Sequence, residues 1–448
     1  LDQQLAQKLL SSIQQKRLVI FCGAGLSMSA PSSLPSAKAV TDRCIVAYEQ
    51  SGLEPPIPEE SKADLGLLAE HFITSNLQNF FIRKLVRWEQ FAGSHNDGHT
   101  ALADFLTCKA TPFVITTNYD QLIERGAEAL GEGAFEACLD GVCANNERPH
   151  SPLLKIHGSM LDRDSTLWCR EQLKKTNLDP ANRQLRGRMA SARTWLGGRL
   201  LEKDLVFVGF WSDWKHLSKL LMSAIRSVNV PFVLLVDPAP EDQLKTKAPD
   251  LWRWAKRKNI QFQHLPEKGA DFLADLRRLF SVNFLKRATQ AATVAFQTQT
   301  GAEHLPVLPF AGLDNVDLYS LRRDFCGVPP GQIPRDAEPT PAMSSAAKAH
   351  LLLRHSGSTM EGPCHLTANG KRIRVVNGLT RIVSQVKAEF VPRLPPEPKL
   401  DYVVCAGAED DGGVQPNIVR PSDNPTIVRF GDTAKWVTVS QAHAEGIF

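Results

Sequence analysis

The sequence predicts an α/β fold: a doubly wound parallel sheet followed by a smaller β-rich C-terminal domain. Three observations carry this. Short, continuous apolar runs recur at 18–22, 112–116, 153–156, 205–208, 232–236 and 260–262. Stretches of helical apolar spacing separate them, at 65–91, 121–130, 215–228 and 270–285. Strands buried on both faces read as such runs, and their alternation with helices is the signature of a parallel sheet covered on both sides. The third observation is that this rhythm stops near residue 287.

Each segment has its own reason. Leu5, Leu9, Leu10 and Ile13 repeat at helical spacing, so the opening stretch is amphipathic and polar, a helix and not a secretory signal. After residue 287 prolines crowd together, with Pro306, Pro309, Pro329, Pro330, Pro334, Pro339 and Pro341 in one stretch. Residues 288–345 therefore read as a Pro-rich connecting segment. Beyond it, 372–376, 402–405 and 436–439 are short β-branched runs set among Gly, Pro, Asn and Asp. They predict a β-rich domain over 346–448, regulatory or partner-binding. The boundaries are thus 1–287, 288–345 and 346–448.

Composition sets limits. A chain of 448 residues with 43% hydrophobic and 22% charged residues has the makeup of a globular protein with a sizeable core. A net charge of +4, from 52 basic and 48 acidic residues, gives no electrostatic case for a nucleic-acid partner. No apolar run approaches the roughly 18 residues of a membrane span, so no membrane partner is expected. The nine cysteines are scattered and odd in number, several inside apolar runs, as expected of reduced thiols in the cytoplasm. Cys138 and Cys143 come nearest to a pair, but no second pair stands at zinc spacing, so no metal is expected.

Five polar motifs sit where strands end, which is where open α/β sheets place their ligands. In Val19-Ile-Phe-Cys-Gly23-Ala24-Gly25-Leu-Ser27 a strand runs into two glycines and a serine. Such a loop can approach a pyrophosphate closely and cradle it with backbone N–H groups, Ser27 adding a hydroxyl donor. It can equally be a plain turn. In Val114-Ile-Thr-Thr117-Asn118-Tyr119-Asp120 the amide of Asn118 can donate and accept, while Asp120 suits either a site or a helix cap. In Leu153-Leu-Lys-Ile-His157-Gly158-Ser159 the histidine is fit for proton transfer near neutral pH, or for a structural role at a strand end. Leu205-Val-Phe-Val-Gly209-Phe210-Trp211-Ser212 ends in glycine and aromatics, and Leu234-Leu-Val-Asp237-Pro238 ends in an acid suited to a ribose hydroxyl.

Taken in order, Gly-Ala-Gly-x-Ser, Thr-Thr-Asn-Tyr-Asp, His-Gly-Ser and Val-Gly-Phe resemble the sirtuin-like family, and in particular its bacterial branch that cleaves NAD in anti-phage defence. The stretch from Gly25 to Pro35 is similar to that branch's version of the glycine loop. The resemblance covers about residues 1–285 and implies a Rossmann-like fold with NAD as substrate. It implies that Gly23, Ala24, Gly25, Ser27, Thr117, Gly209, Phe210 and Asp237 bind the dinucleotide. Asn118, His157 and Asp120 would be catalytic: Asn118 holding the nicotinamide ribose and orienting water, Asp120 positioning Asn118 or the ribose, His157 taking a proton.

Two departures matter. Deacylating sirtuins carry Pro-Asp-Phe-Arg after the glycine loop, where this chain has Leu34-Pro35-Ser36, and they carry two zinc-binding cysteine pairs that are absent here. Both favour NAD hydrolysis to nicotinamide and ADP-ribose over protein deacylation. The resemblance further implies an enzyme inactive until triggered, working as a homo-oligomer or with a second protein encoded nearby. A non-enzymatic NAD or ADP-ribose sensor is the alternative, separated by whether nicotinamide is released.

Overall fold

A computed structural model of the chain describes residues 1–174, 179–213, 229–360, 366–394, 399–410 and 434–448. The expected helix at 215–228 and Cys364 lie outside the described residues. The chain divides into two compact units, Leu1–Leu276 and Arg277–Phe448. The division falls within one long helix, Gly269–Ala291.

The first unit is built on six strands: β1 (Leu18–Cys22), β2 (Val114–Thr116), β3 (Leu153–Lys155), β4 (Asp204–Val208), β5 (Phe232–Val236) and β6 (Gln261–Leu265). All pair in parallel, in the order β3-β2-β1-β4-β5-β6. This is the doubly wound, Rossmann-like order, in which the winding reverses between β1 and β4. Every residue of β1, β4 and β5 is buried, which explains why these strands read as unbroken apolar runs. Only the edge strand β6 keeps partial exposure along its length, and there Gln261, Gln263 and His264 are tolerated. One face of the sheet packs Phe21, Phe207, Leu235 and Phe113 against Leu185, Met189, Trp195 and Trp252.

The apolar spacing at 65–91 does not give one long helix. A helix Leu65–Thr74 ends at Ser75, Asn76 turns left-handed at φ 59, and short turns follow, ending in the 3-10 segment Trp88–Phe91. Asn is among the residues that accept that conformation most readily. The break lets Phe72, Phe81 and Trp88 converge on Tyr48 and Trp168 in a second core instead of lining one stripe.

The second unit holds a five-stranded sheet in the order β11-β10-β9-β8-β7. Its strands are β7 (Thr359–Met360), β8 (Leu366–Ala368), β9 (Lys371–Asn377), β10 (Tyr402–Ala406) and β11 (Lys435–Thr438). β9, β10 and β11 run parallel, and β7 and β8 are antiparallel to their neighbours. Helices Asn315–Phe325 and Ser344–His355 share its core with the sheet. The Pro-crowded segment is folded into it: Phe296, Phe310, Leu318 and Phe325 are all buried in that core. The prolines stand in turns or at element ends, as Pro309 and Pro341 do, and leave the apolar residues between them free to form helix. Arg374 and Asp324 form a buried bidentate pair there, at 2.9 and 2.7 Å.

Candidate active site

The site lies where the winding reverses. Gly23 and Gly25 leave β1 and meet Gly209, which leaves β4 at φ 59. A Cβ on Gly25 would stand 2.7 Å from the Gly209 Cα, and one on Gly209 would stand 2.5 Å from the Leu26 nitrogen. The two loops can close on each other only as glycines. Gly209→Ala combines a left-handed alanine with that clash and is expected to cost more than about 2 kcal/mol, read as a fall in the urea midpoint.

The glycine loop differs from the cradle expected of it. The N–H of Gly23 donates to the Val208 carbonyl at 3.1 Å and that of Gly25 to the Gly209 carbonyl at 3.0 Å. Both donors are spent on fastening β1 to β4, so these glycines provide clearance rather than hydrogen bonds to a ligand. Positive potential has other sources here. The N-terminus of Gly269–Ala291 abuts Val208, and Lys268 and Lys247 line the same cavity.

That cavity has a volume of about 860 Å³. Ala24, Gly25, Ser27, Thr117, Asn118, Asp120, His157, Gly209, Phe210 and Asp237 all line it, drawn from the ends of five strands. Gly23 packs behind the lining, against Phe210. Phe210 packs in a tilted contact on Phe21, ring centroids 4.6 Å apart, and Trp211 donates its indole N–H to the Leu244 carbonyl at 3.1 Å, so both are fixed walls. Asp237 accepts the Ala239 N–H through Oδ1 at 2.9 Å, which fixes its carboxylate at the end of β5.

A buried hydrogen-bond network orients the polar centre. The Ser27 hydroxyl donates to Asp120 Oδ2 at 2.9 Å and accepts from Asn118 Nδ2 at 3.0 Å. It also faces His99 Nε2 at 3.1 Å. His99 Nδ1 accepts the Asn96 N–H at 3.2 Å, so the ring proton resides on Nε2 and is donated to Ser27. The hydroxyl thus makes its one donation and fills both lone pairs. Ser27 is buried and its three hydrogen-bond positions are taken within the protein, so its hydroxyl ties Asp120, Asn118 and His99 together and is not left over for the pyrophosphate donation expected of it. Burial pushes the His99 imidazole down to about 4, against the opposing pull of Asp120, which keeps the ring neutral.

Asn118 spends both amide hydrogens, on Ser27 Oγ and on the Gly23 carbonyl at 3.3 Å. Oδ1 is the group it can offer to a ligand or water. Asp120 Oδ1 accepts the N–H of Leu122, the first residue of the helix Leu122–Leu130, at 3.1 Å, while Oδ2 holds Ser27. Behind it, buried Lys155 donates to the Asp120 carbonyl and pairs with Glu124 at 2.6 Å, which clamps the end of β2 to β3. Burial raises the Glu124 carboxyl even though Lys155 stands beside it.

His157 is buried, and its ring lies 5.9 Å from Tyr119 in a stack that continues to Trp168 at 4.6 Å. Tyr119 donates its hydroxyl to the Leu167 carbonyl at 2.7 Å, and burial pushes its phenol well up. His99, Lys247, Lys268 and the Tyr119–Trp168 wall were not anticipated. The Asn96-x-x-His99 box at a helix start was the one local signal for His99. Among the described residues no group of three His, Cys, Asp or Glu could hold a metal ion, and no helix is long and apolar enough to cross a membrane.

Residues 112–262 match the SIR2-like domain family. Over 228 residues the chain is 26% identical to the NAD(+) hydrolase ThsA of Enterococcus faecium. That match covers 50% of this chain and 43% of the relative, so the chain spans less than half of that protein's length. Among solved structures it is similar to a Sir2 homologue triple mutant with 2'-O-acetyl ADP ribose, at 16% identity and TM-score 0.33, covering 62% of this chain and 95% of that one. It is also similar to a Sir2 homolog–NAD complex, at 17% identity and TM-score 0.32, covering 61% and 93%. The fold itself rests on the strand order.

Proposed function

We propose that this chain, whose residues 112–262 match the SIR2-like domain family, is an NAD glycohydrolase that cleaves NAD with water to nicotinamide, ADP-ribose and a proton. The observation that carries the reading is the convergence of Asn118, Asp120 and His157 on one cavity at the reversal of the sheet.

The dinucleotide lies across the glycine contact. Its pyrophosphate faces the helix end at Gly269 and the two lysines, and Asp237 takes a ribose hydroxyl. Asn118 presents Oδ1 to the nicotinamide ribose or to the attacking water. As the bond from C1′ to the nicotinamide nitrogen breaks, positive charge grows on the sugar, and the fixed Asn118 dipole and the Asp120 carboxylate stabilise it. Water then bonds to C1′, and His157 takes a proton from that water or from a ribose hydroxyl. The dry wall of Tyr119, Trp168 and Phe210 limits the water available to the one that reacts.

The test is purified protein with NAD, and in parallel with NAD plus an acyl-lysine peptide. Nicotinamide and ADP-ribose appearing in equal amounts without the peptide is the expected result. Binding of NAD with no release under activating conditions would leave a sensor, and release only with the peptide would make it a deacylase. The biological role we infer is NAD depletion in anti-phage defence by an enzyme held inactive until triggered. The second unit would serve as the module that senses the trigger or docks a partner, in a homo-oligomer or beside a protein encoded nearby. Cells expressing the chain with its genomic neighbour should lose NAD on phage challenge and not before it.

A further inference from the structure

Arg188 has no role in the site described above, and its surroundings are unusual. It lies in the helix Pro180–Arg199 and is 8% exposed. None of its three guanidinium nitrogens has a hydrogen-bond partner, and among the described residues it makes no ion pair. A guanidinium offers five N–H donors, and burying one with no acceptor is among the costlier things a fold can do. Such a buried donor calls for an acceptor, and a neighbouring carboxylate that moves is one way to supply it.

Two carboxylates act on it most strongly, Asp162 and then Asp140. Asp140 is committed, capping the Cys143 N–H at 2.7 Å. Asp162 is exposed, and its carboxylate makes no bond among the described residues. It stands in the turn that follows His157. That turn begins at Gly158, left-handed at φ 96, and carries Leu161 with 78% of its surface in water. A left-handed glycine, an exposed leucine and a carboxylate without a side-chain bond lie on one short segment, which leads into the 3-10 turn Arg163–Ser165 that packs against the helix of Arg188.

We propose that residues 158–162 form a strap that closes when nucleotide fills the cavity, bringing the Asp162 carboxylate onto Arg188 and taking Leu161 out of water. Arg188 and Asp162 are then positioning residues for His157, which is covalently joined to the strap. The proposal rests on the reading of the cavity as an NAD site. The pair forms only in the closed state, so the open state bears the cost of the lone charge and the closed state is favoured by its relief.

The test uses the full chain as wild type, Arg188→Met and Asp162→Asn, with amide exchange followed by mass spectrometry with and without NAD. In the wild type NAD should slow exchange at both 23–27 and 158–163, the latter at least tenfold. In both variants the slowing at 23–27 should persist and that at 158–163 should vanish. Ligand-free Arg188→Met should also melt higher, by about 2–4 °C, because a lone buried charge is gone. A strap that slows equally in the variants, or that stays unchanged while 23–27 responds, overturns the closure alone. A lower melting point for Arg188→Met also overturns it, since the arginine would then be holding the open fold. Protection of the wild type and not of Arg188→Met by inorganic phosphate alone assigns the guanidinium to a bound anion instead. No response at either segment in the wild type defeats the NAD reading, and the closure falls with it.

Discussion

Asn118→Ala and His157→Ala should each lower nicotinamide release by about 10²–10⁴-fold, the usual range for losing a positioned proton-transfer or polar catalytic group. Binding of NAD, followed by calorimetry, should change far less, because in the proposed mode the pyrophosphate is held by other groups, the helix end at Gly269 and the two lysines. Asn118→Asp is the sharper variant. It keeps the size of the side chain and an oxygen at Oδ1, but it removes both N–H donations, to Ser27 Oγ and the Gly23 carbonyl. It also sets a carboxylate against the Gly23 carbonyl and leaves it sharing the Ser27 hydroxyl with a second carboxylate, Asp120. If the amide serves as a fixed dipole held from beneath, Asn118→Asp should be as inactive as the alanine. If the site needs only an oxygen there, it should keep turnover. Full turnover in Asn118→Ala or in His157→Ala would refute the assignment of that residue.

Much of the candidate site is legible locally, because a parallel sheet gathers the polar residues at its strand ends into one cavity. Gly23, Asn118, His157, Gly209 and Asp237 each follow an apolar run by a residue or two, and the run marks the strand. The ordering of strands across the sheet then brings them to one cavity. His99 could not be found in this way. It lies within the helix Asp97–Thr107, far in sequence from Ser27, and only the tertiary fold places its Nε2 beside that hydroxyl. The role of Ser27 was misread for a related reason. A serine after two glycines suits a phosphate, and nothing local tells that its three hydrogen-bond positions are already taken. The sheet of the second unit is legible in its β-branched runs, whereas the prolines obscure the helical stretches beside it, whose burial depends on one another.

Lowering the pH from 6.5 to 4 should cost the first unit on the order of 3 kcal/mol through His99 alone. The sign follows from the direction of the shift. Burial holds the folded imidazole down at about 4, whereas in the unfolded chain it titrates near its ordinary value of 6.5. Above 6.5 the ring is neutral in both states and the network is at full strength. Between 6.5 and 4 the unfolded chain binds a proton that the folded one does not, so stability falls with pH, and below 4 the loss levels off. Activity should fail over the lower part of the same window. A proton on Nδ1 would confront the Asn96 N–H, the ring would lose its place, and Ser27 would no longer be held between Asp120 and Asn118. His99→Gln distinguishes this from general acid unfolding, because a glutamine amide can still donate to Ser27 but cannot titrate. In that variant, measured by urea unfolding at stepped pH, the slope between 6.5 and 4 should flatten while turnover at pH 7 is partly kept. An unchanged slope would place the acid sensitivity elsewhere and remove His99 from the account of how the site is held.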